Sequence, residues 1–243
     1  MTWGLGDVAV GLALWLVTSA LVGAWLAALD VPPTAQESHP SDAADGSLSL
    51  WATAIALIAN QATFIGFSWW TSATKGVGDL RRDFGLALRL GDIPVGVAGG
   101  ISCLLASAGV AAAFAAVSGN DAPTNAQFLE DRSVGPGTLV ALLLLIGVAT
   151  PVAEEIFFRG LVLRAAARRY GTLIGVIASA TIFGLPHALA AQDASGAWFF
   201  PAVTTIYGIV LATLATRSNW RLGPAIVGHM VINTTGVLVA VNA

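Results

Sequence analysis

Residues 138–163 read TLVALLLLIGVATPVAEEIFFRGLVL. The stretch is long enough to cross a bilayer, which takes about 20 mainly apolar residues. Its C-terminal part nevertheless holds Glu154, Glu155 and Arg159. An ionisable side chain in hydrocarbon costs about 2.5–3.5 kcal/mol on insertion scales unless it faces a partner or a wet cavity. The segment is therefore a membrane helix with a built polar feature. Adjacent residues on a helix diverge by about 100°, so the two carboxylates must face different neighbours. Glu155 and Arg159 stand at i, i+4 with the acid on the N-terminal side, the favourable order. That spacing predicts a Glu155–Arg159 ion pair and leaves Glu154 to point elsewhere.

The same reading extends outward. Of the 243 residues, 56% are hydrophobic and 10% charged, whereas soluble domains carry about 25% charged residues. Mean hydropathy is +0.78. The predicted fold class is all-α, a polytopic membrane helix bundle forming one domain over residues 1–243, with seven spans. These are Val8–Leu29, Leu48–Trp70, Ile93–Val117, Thr138–Leu163, Leu173–Ala190, Trp198–Ala215 and Leu222–Val241. Residues 30–48, rich in Pro, Ser and Asp, are expected to form an external loop. Met1–Gly4 lacks positive charge and the apolar run behind it exceeds a signal-peptide core, so the first segment is read as a retained helix. A net charge of −3 leaves no electrostatic footprint for nucleic acid. The lone Cys103 lies in an apolar run and is read as a packing residue.

Lys75, Arg81, Arg82 and Arg89, then Arg164, Arg168 and Arg169, then Arg217 and Arg221 fall in alternate connections. The positive-inside rule makes that side cytoplasmic, with the N-terminus inside and the C-terminus outside. Trp51, Trp69, Trp70, Trp198 and Trp220 stand at span ends, where indole prefers the interface. Leu80, Phe84 and Leu88 at i, i+4, i+8 predict a helix lying on the membrane surface over Leu80–Leu90. Gly96-x-x-x-Gly100 permits close helix contact, internal or between copies. Oligomeric state is open. Ten arginines to one lysine and abundant alanine point to a GC-rich, bacterial source.

Two further spans carry polar residues. Phe183 and His187 share a helix face beside Pro186, and His229 and Asn233 share another. Either pair alone reads equally well as hydrogen-bonding glue between helices. Together, Glu154, His187, His229 and Asn233 fit a single water-filled pocket suited to activating water. Depth counting agrees only in part. At 1.5 Å per residue, Glu154 lies about 24 Å from the outer end of its span and His229 about 10 Å from the inner end of its own. His187, about 21 Å beyond Leu173, comes out too shallow. A helical hairpin projecting beyond the membrane, or a bend at Pro186, would reconcile them.

These three patterns, Glu154-Glu155-x-x-x-Arg159, Phe183-x-x-x-His187 and His229-x-x-x-Asn233, resemble in order and type the CPBP family of intramembrane proteases. That family includes the type II CAAX prenyl proteases and the Abi-like, bacteriocin-processing or immunity-associated proteins. The resemblance covers residues 138–233, the expected catalytic core. It implies a membrane-embedded endopeptidase acting on a membrane-associated peptide, CAAX-type or a leader. Under it Glu154 is the general base, and His187 positions the water or assists proton transfer. His229 and Asn233 stabilise the oxyanion, while Glu155, Arg159 and Phe183 support. No cofactor is favoured, because the amide beside His229 suits an oxyanion hole and no His-Glu-x-x-His is present. The alternative is Zn2+ on Glu154, His187 and His229. Two other functions compete: a non-catalytic membrane scaffold or immunity protein, and a transporter, whose expected paired broken helices are not seen.

Overall fold

A computed structural model describes residues 2–29, 43–123, 134–191 and 194–242. Most of the 30–48 segment, expected to be an external loop, lies outside these residues. The described chain is helical, with seven helices long and apolar enough to cross a membrane. Helix α1 spans Leu5–Ala28, α2 Ala43–Lys75, the single turn α3 Leu80–Asp83, and α4 Asp92–Ser118. Helix α5 runs over Pro136–Tyr170. Helix α6 covers Thr172–Gly184 and tightens into a 3-10 segment over Leu185–Ala190. Helix α7 spans Ala194–Arg217 and α8 Gly223–Ala240.

Helix α5 is the centre of the bundle. Every residue from Glu155 to Leu163 is buried, and Phe157, Phe158, Leu161 and Val162 lie in the main core with Phe64, Phe183 and Leu211. Between helices in lipid there is little hydrophobic gain, so close van der Waals packing must hold them. Small residues make that packing. A Cβ on Gly96 would sit 2.6 Å from the Pro224 carbonyl oxygen, and one on Gly100 2.7 Å from the Gly228 carbonyl oxygen. The Gly-x-x-x-Gly pair therefore seats α4 on α8 within the chain. Cys103, fully buried in the same core, is the packing residue expected.

At about 1.5 Å per residue the 35 residues of α5 extend roughly 50 Å, well beyond a hydrocarbon core of about 30 Å. With α6 it forms a hairpin turned at Gly171, whose φ of +86° suits glycine. Glu154 lies 17 residues before Gly171 and His187 lies 16 after it. In an antiparallel hairpin those positions are nearly level. The depth mismatch of the linear count disappears because the hairpin, rather than the membrane midplane, is the common ruler.

One end of the bundle is tied by its charges. Lys75 Nζ lies 2.6 Å from Asp7 Oδ1, and Arg221 Nη2 2.6 Å from Asp92 Oδ1. Arg168 stacks on Trp3, 3.6 Å from its ring centre, and Arg164 donates to the Trp220 carbonyl. Trp220 is thus a partner of the hairpin, half-buried, while Trp51, Trp69 and Trp198 remain outward-facing.

The expected surface helix over Leu80–Leu90 is corrected. Only Leu80–Asp83 is helical, capped by Asp79, which accepts from the Arg81 N–H. Gly85 breaks it with φ +74°, and the loop that follows pairs with the start of α8 through Leu222 N–H to Gly85 O at 2.9 Å. Phe84 is wholly buried against Gly160, whereas Leu88 and Leu90 are exposed. The apolar period was real, but the glycine sends its second and third members, Phe84 and Leu88, to opposite environments.

Candidate active site

Two wide turns interrupt α5, with hydrogen bonds closing five residues back instead of four. The first covers Leu143–Ala149, where the Thr150 N–H reaches Leu145 O. The second covers Glu155–Val162, where the Leu163 N–H reaches Phe158 O. Such turns are frequent at functional sites. Side chains also bind carbonyls of both turns. Ser179 on α6 donates to Phe158 O at 2.9 Å. Thr150 donates to Leu145 O at 3.0 Å and accepts from Gln61 Nε2 on α2 at 2.6 Å. Asn233 Nδ2 on α8 donates to Ile146 O at 3.0 Å.

The two carboxylates of α5 flank one imidazole. His229 Nδ1 lies 2.9 Å from Glu155 Oε1, and its Nε2 lies 3.6 Å from Glu154 Oε2. The expected ion pair is present, with Arg159 Nη1 2.9 Å from Glu155 Oε1 and both side chains fully buried. Glu155 therefore does more than neutralise Arg159. Paired with the guanidinium, it also accepts from His229 Nδ1, and Nε2 faces Glu154. The side chain of Glu154 keeps 20% of its accessibility, against 6% for His229 and none for Glu155. Glu154 is the most exposed of the three.

Phe183 joins the second histidine to this group. Its ring lies 5.7 Å from His229 at 89° and 5.3 Å from His187, centre to centre. The Arg159 guanidinium covers its face at 4.4 Å, a cation–π contact. His187 sits in the 3-10 segment, half-buried, and its Nδ1 donates to the Phe183 carbonyl at 3.1 Å. That bond sets the tautomer and leaves Nε2 as the acceptor. Gly184, whose Cβ would meet the Pro201 carbonyl oxygen at 2.9 Å, lets α6 lie against α7, and Arg159 Nη2 reaches the Gly208 carbonyl of α7 at 3.4 Å.

Glu154, Glu155, Arg159, Phe183, His187 and His229 thus form one contiguous cluster built by α5, α6 and α8. Asn233, one turn beyond His229, meets the backbone of α5 two turns before Glu154. Gln61 was not anticipated. The adjacent amides Asn60 and Gln61 inside an apolar helix were the available signal; Asn60 accepts from Ser19 on α1 at 2.9 Å, and Gln61 meets α5.

The zinc alternative would draw on Glu154, His187 and His229. His229 turns Nδ1 to Glu155 and Nε2 to Glu154, and among the described residues no three His, Cys, Asp or Glu side chains converge as metal ligands.

Residues 136–235 match a family model described as type II CAAX prenyl endopeptidase Rce1-like. No curated protein and no solved structure matches the chain. Glu154, Glu155, Arg159, Phe183, His187, His229 and Asn233 all fall inside the matched segment, which is similar to the type II CAAX prenyl endopeptidases that the family model describes.

Proposed function

We propose that the chain is a membrane-embedded endopeptidase in which Glu154 activates water to hydrolyse a peptide bond of a lipid-anchored C-terminal peptide. The observation that carries this reading is the pairing of an accessible Glu154 with His229, whose far nitrogen is anchored on a buried, charge-compensated Glu155. Glu154 removes a proton from water as the oxygen attacks the scissile carbonyl carbon. The tetrahedral oxyanion is stabilised by His229 when Nε2 carries a proton, and that proton's charge is compensated by Glu155 behind the ring. Nε2 of His187, free to accept, holds the attacking water. Collapse of the intermediate breaks the C–N bond, and the proton held by Glu154 passes to the leaving amine. Low dielectric around the cluster strengthens each of these contacts, and a donor of this type typically contributes about 3–4 kcal/mol to the barrier reduction.

The family description supports a prenylated CAAX substrate. The hairpin of α5 and α6 supports an approach from the arginine-rich end, which the positive-inside rule makes cytoplasmic. An internally quenched farnesylated CAAX peptide and purified protein test the reading. Glu154→Gln, which preserves volume, is expected to lower turnover by at least about 10³-fold, because it removes the base and not the fold. Wild-type turnover in that variant, with native thermal stability, would overturn the assignment of Glu154.

A further inference from the structure

The first wide turn of α5 has a defect in its backbone ladder that α8 repairs. In an ordinary helix the Ile146 carbonyl would accept from the N–H of residue 150, but the Thr150 N–H goes to Leu145 O. In the wide register the donor would be residue 151, which is Pro151 and has no N–H. The Ile146 carbonyl is left without a ladder donor from either register. Asn233 Nδ2 donates to it at 3.0 Å. An unmet carbonyl inside a membrane helix is costly, since no bulk water reaches it.

We propose that Asn233 is a positioning residue: its amide stands in for the N–H that Pro151 lacks and locks α8 to α5 at the register that sets His229 between Glu154 and Glu155. Asn233 lies four residues after His229 on α8, and Ile146 lies eight residues before Glu154 on α5. The bond is therefore one turn from the imidazole and two turns from the carboxylate. A slip of α8 by a fraction of a turn is opposed at this point. Asn233 acts through His229, and the oxyanion role expected from the resemblance falls to the imidazole alone. The proposal rests on the peptidase reading for its catalytic consequence, but the clamp itself does not.

Restoring the missing donor tests it. In Asn233→Ala the farnesylated CAAX probe is expected to turn over about tenfold more slowly with KM little changed, as for loss of one buried hydrogen bond. Amide hydrogen exchange in a peptide covering residues 145–152 should accelerate by about the same factor. Adding Pro151→Ala supplies a backbone N–H to Ile146 O, and the double variant is expected to recover both readouts to within about threefold of wild type. Pro151→Ala alone should resemble wild type. Should Asn233→Ala not survive extraction, Asn233→Leu keeps the branched shape and removes the donor; recovery of folded protein on adding Pro151→Ala then supports the clamp. Exchange rescued without activity would mean that Asn233 touches the substrate, and exchange unchanged in the single variant would remove the clamp; either overturns the proposal. If wild-type protein ignores the probe, the substrate reading has failed, and the exchange data still decide for or against the clamp.

Discussion

Replacing Arg159 by methionine removes the guanidinium and keeps most of the side-chain volume. The structure places that guanidinium 2.9 Å from Glu155 with no exposure of either side chain. The variant leaves Glu155 facing one imidazole in a core of Phe157, Phe158 and Phe183. Removing one partner of a buried pair typically costs about 3–5 kcal/mol, whereas replacing both by neutral groups is often close to neutral. For a chain of this size each kcal/mol moves the midpoint by about 2–4 °C, so a fall of roughly 6–20 °C is expected. The double variant Glu155→Gln, Arg159→Met keeps an acceptor for His229 Nδ1 and leaves no charge uncompensated. Its midpoint should return to within about 1–2 kcal/mol of wild type, a coupling of at least about 2 kcal/mol. Thermal unfolding of detergent-solubilised protein, followed by tryptophan emission, measures both. Turnover should not recover with stability, because the charge behind the imidazole is gone. If the Arg159 variant unfolds within a degree or two of wild type, or the double variant is as unstable as the sum of its singles, the buried-pair argument fails.

Other perturbations probe the scaffold. Gly100→Leu drives a side chain into the Gly228 carbonyl and Val231, and should destabilise the α4–α8 contact by at least about 2 kcal/mol, read as a lowered unfolding midpoint. Gln61→Leu leaves Thr150 without its donor from α2 at a cost of about 1–2 kcal/mol, with Thr150→Val largely absorbing it in the double variant. Gly85→Ala combines a positive φ with a clash against the Trp220 carbonyl and should cost more than the roughly 1 kcal/mol of the left-handed conformation alone. Limited proteolysis in the Trp220 loop checks that outcome.

The spans were legible because apolar runs of sufficient length have one natural solvent; the structure moves most of their limits by a few residues and carries α5 seven residues past Leu163, to Tyr170. The Glu155–Arg159 pair was legible for a local reason: both partners lie on one helix a turn apart. Asn233 was legible as a polar residue out of place, but its partner was not. Helical spacing says nothing about a carbonyl on another helix that a proline has orphaned. The surface helix over Leu80–Leu90 failed because a period can be read without knowing that Gly85 must approach the Trp220 backbone.

From the sequence alone came the membrane class, the all-helical fold, and the residue types able to do acid–base chemistry in lipid. Tertiary structure decided their grouping: the hairpin at Gly171 brings Glu154 and His187 level, and α8 inserts one imidazole between two carboxylates. The division has a physical cause. Solvent preference and helical periodicity are properties of neighbouring residues in the chain, whereas the wide turns of α5 and the side chains that complete them exist only once four helices have packed.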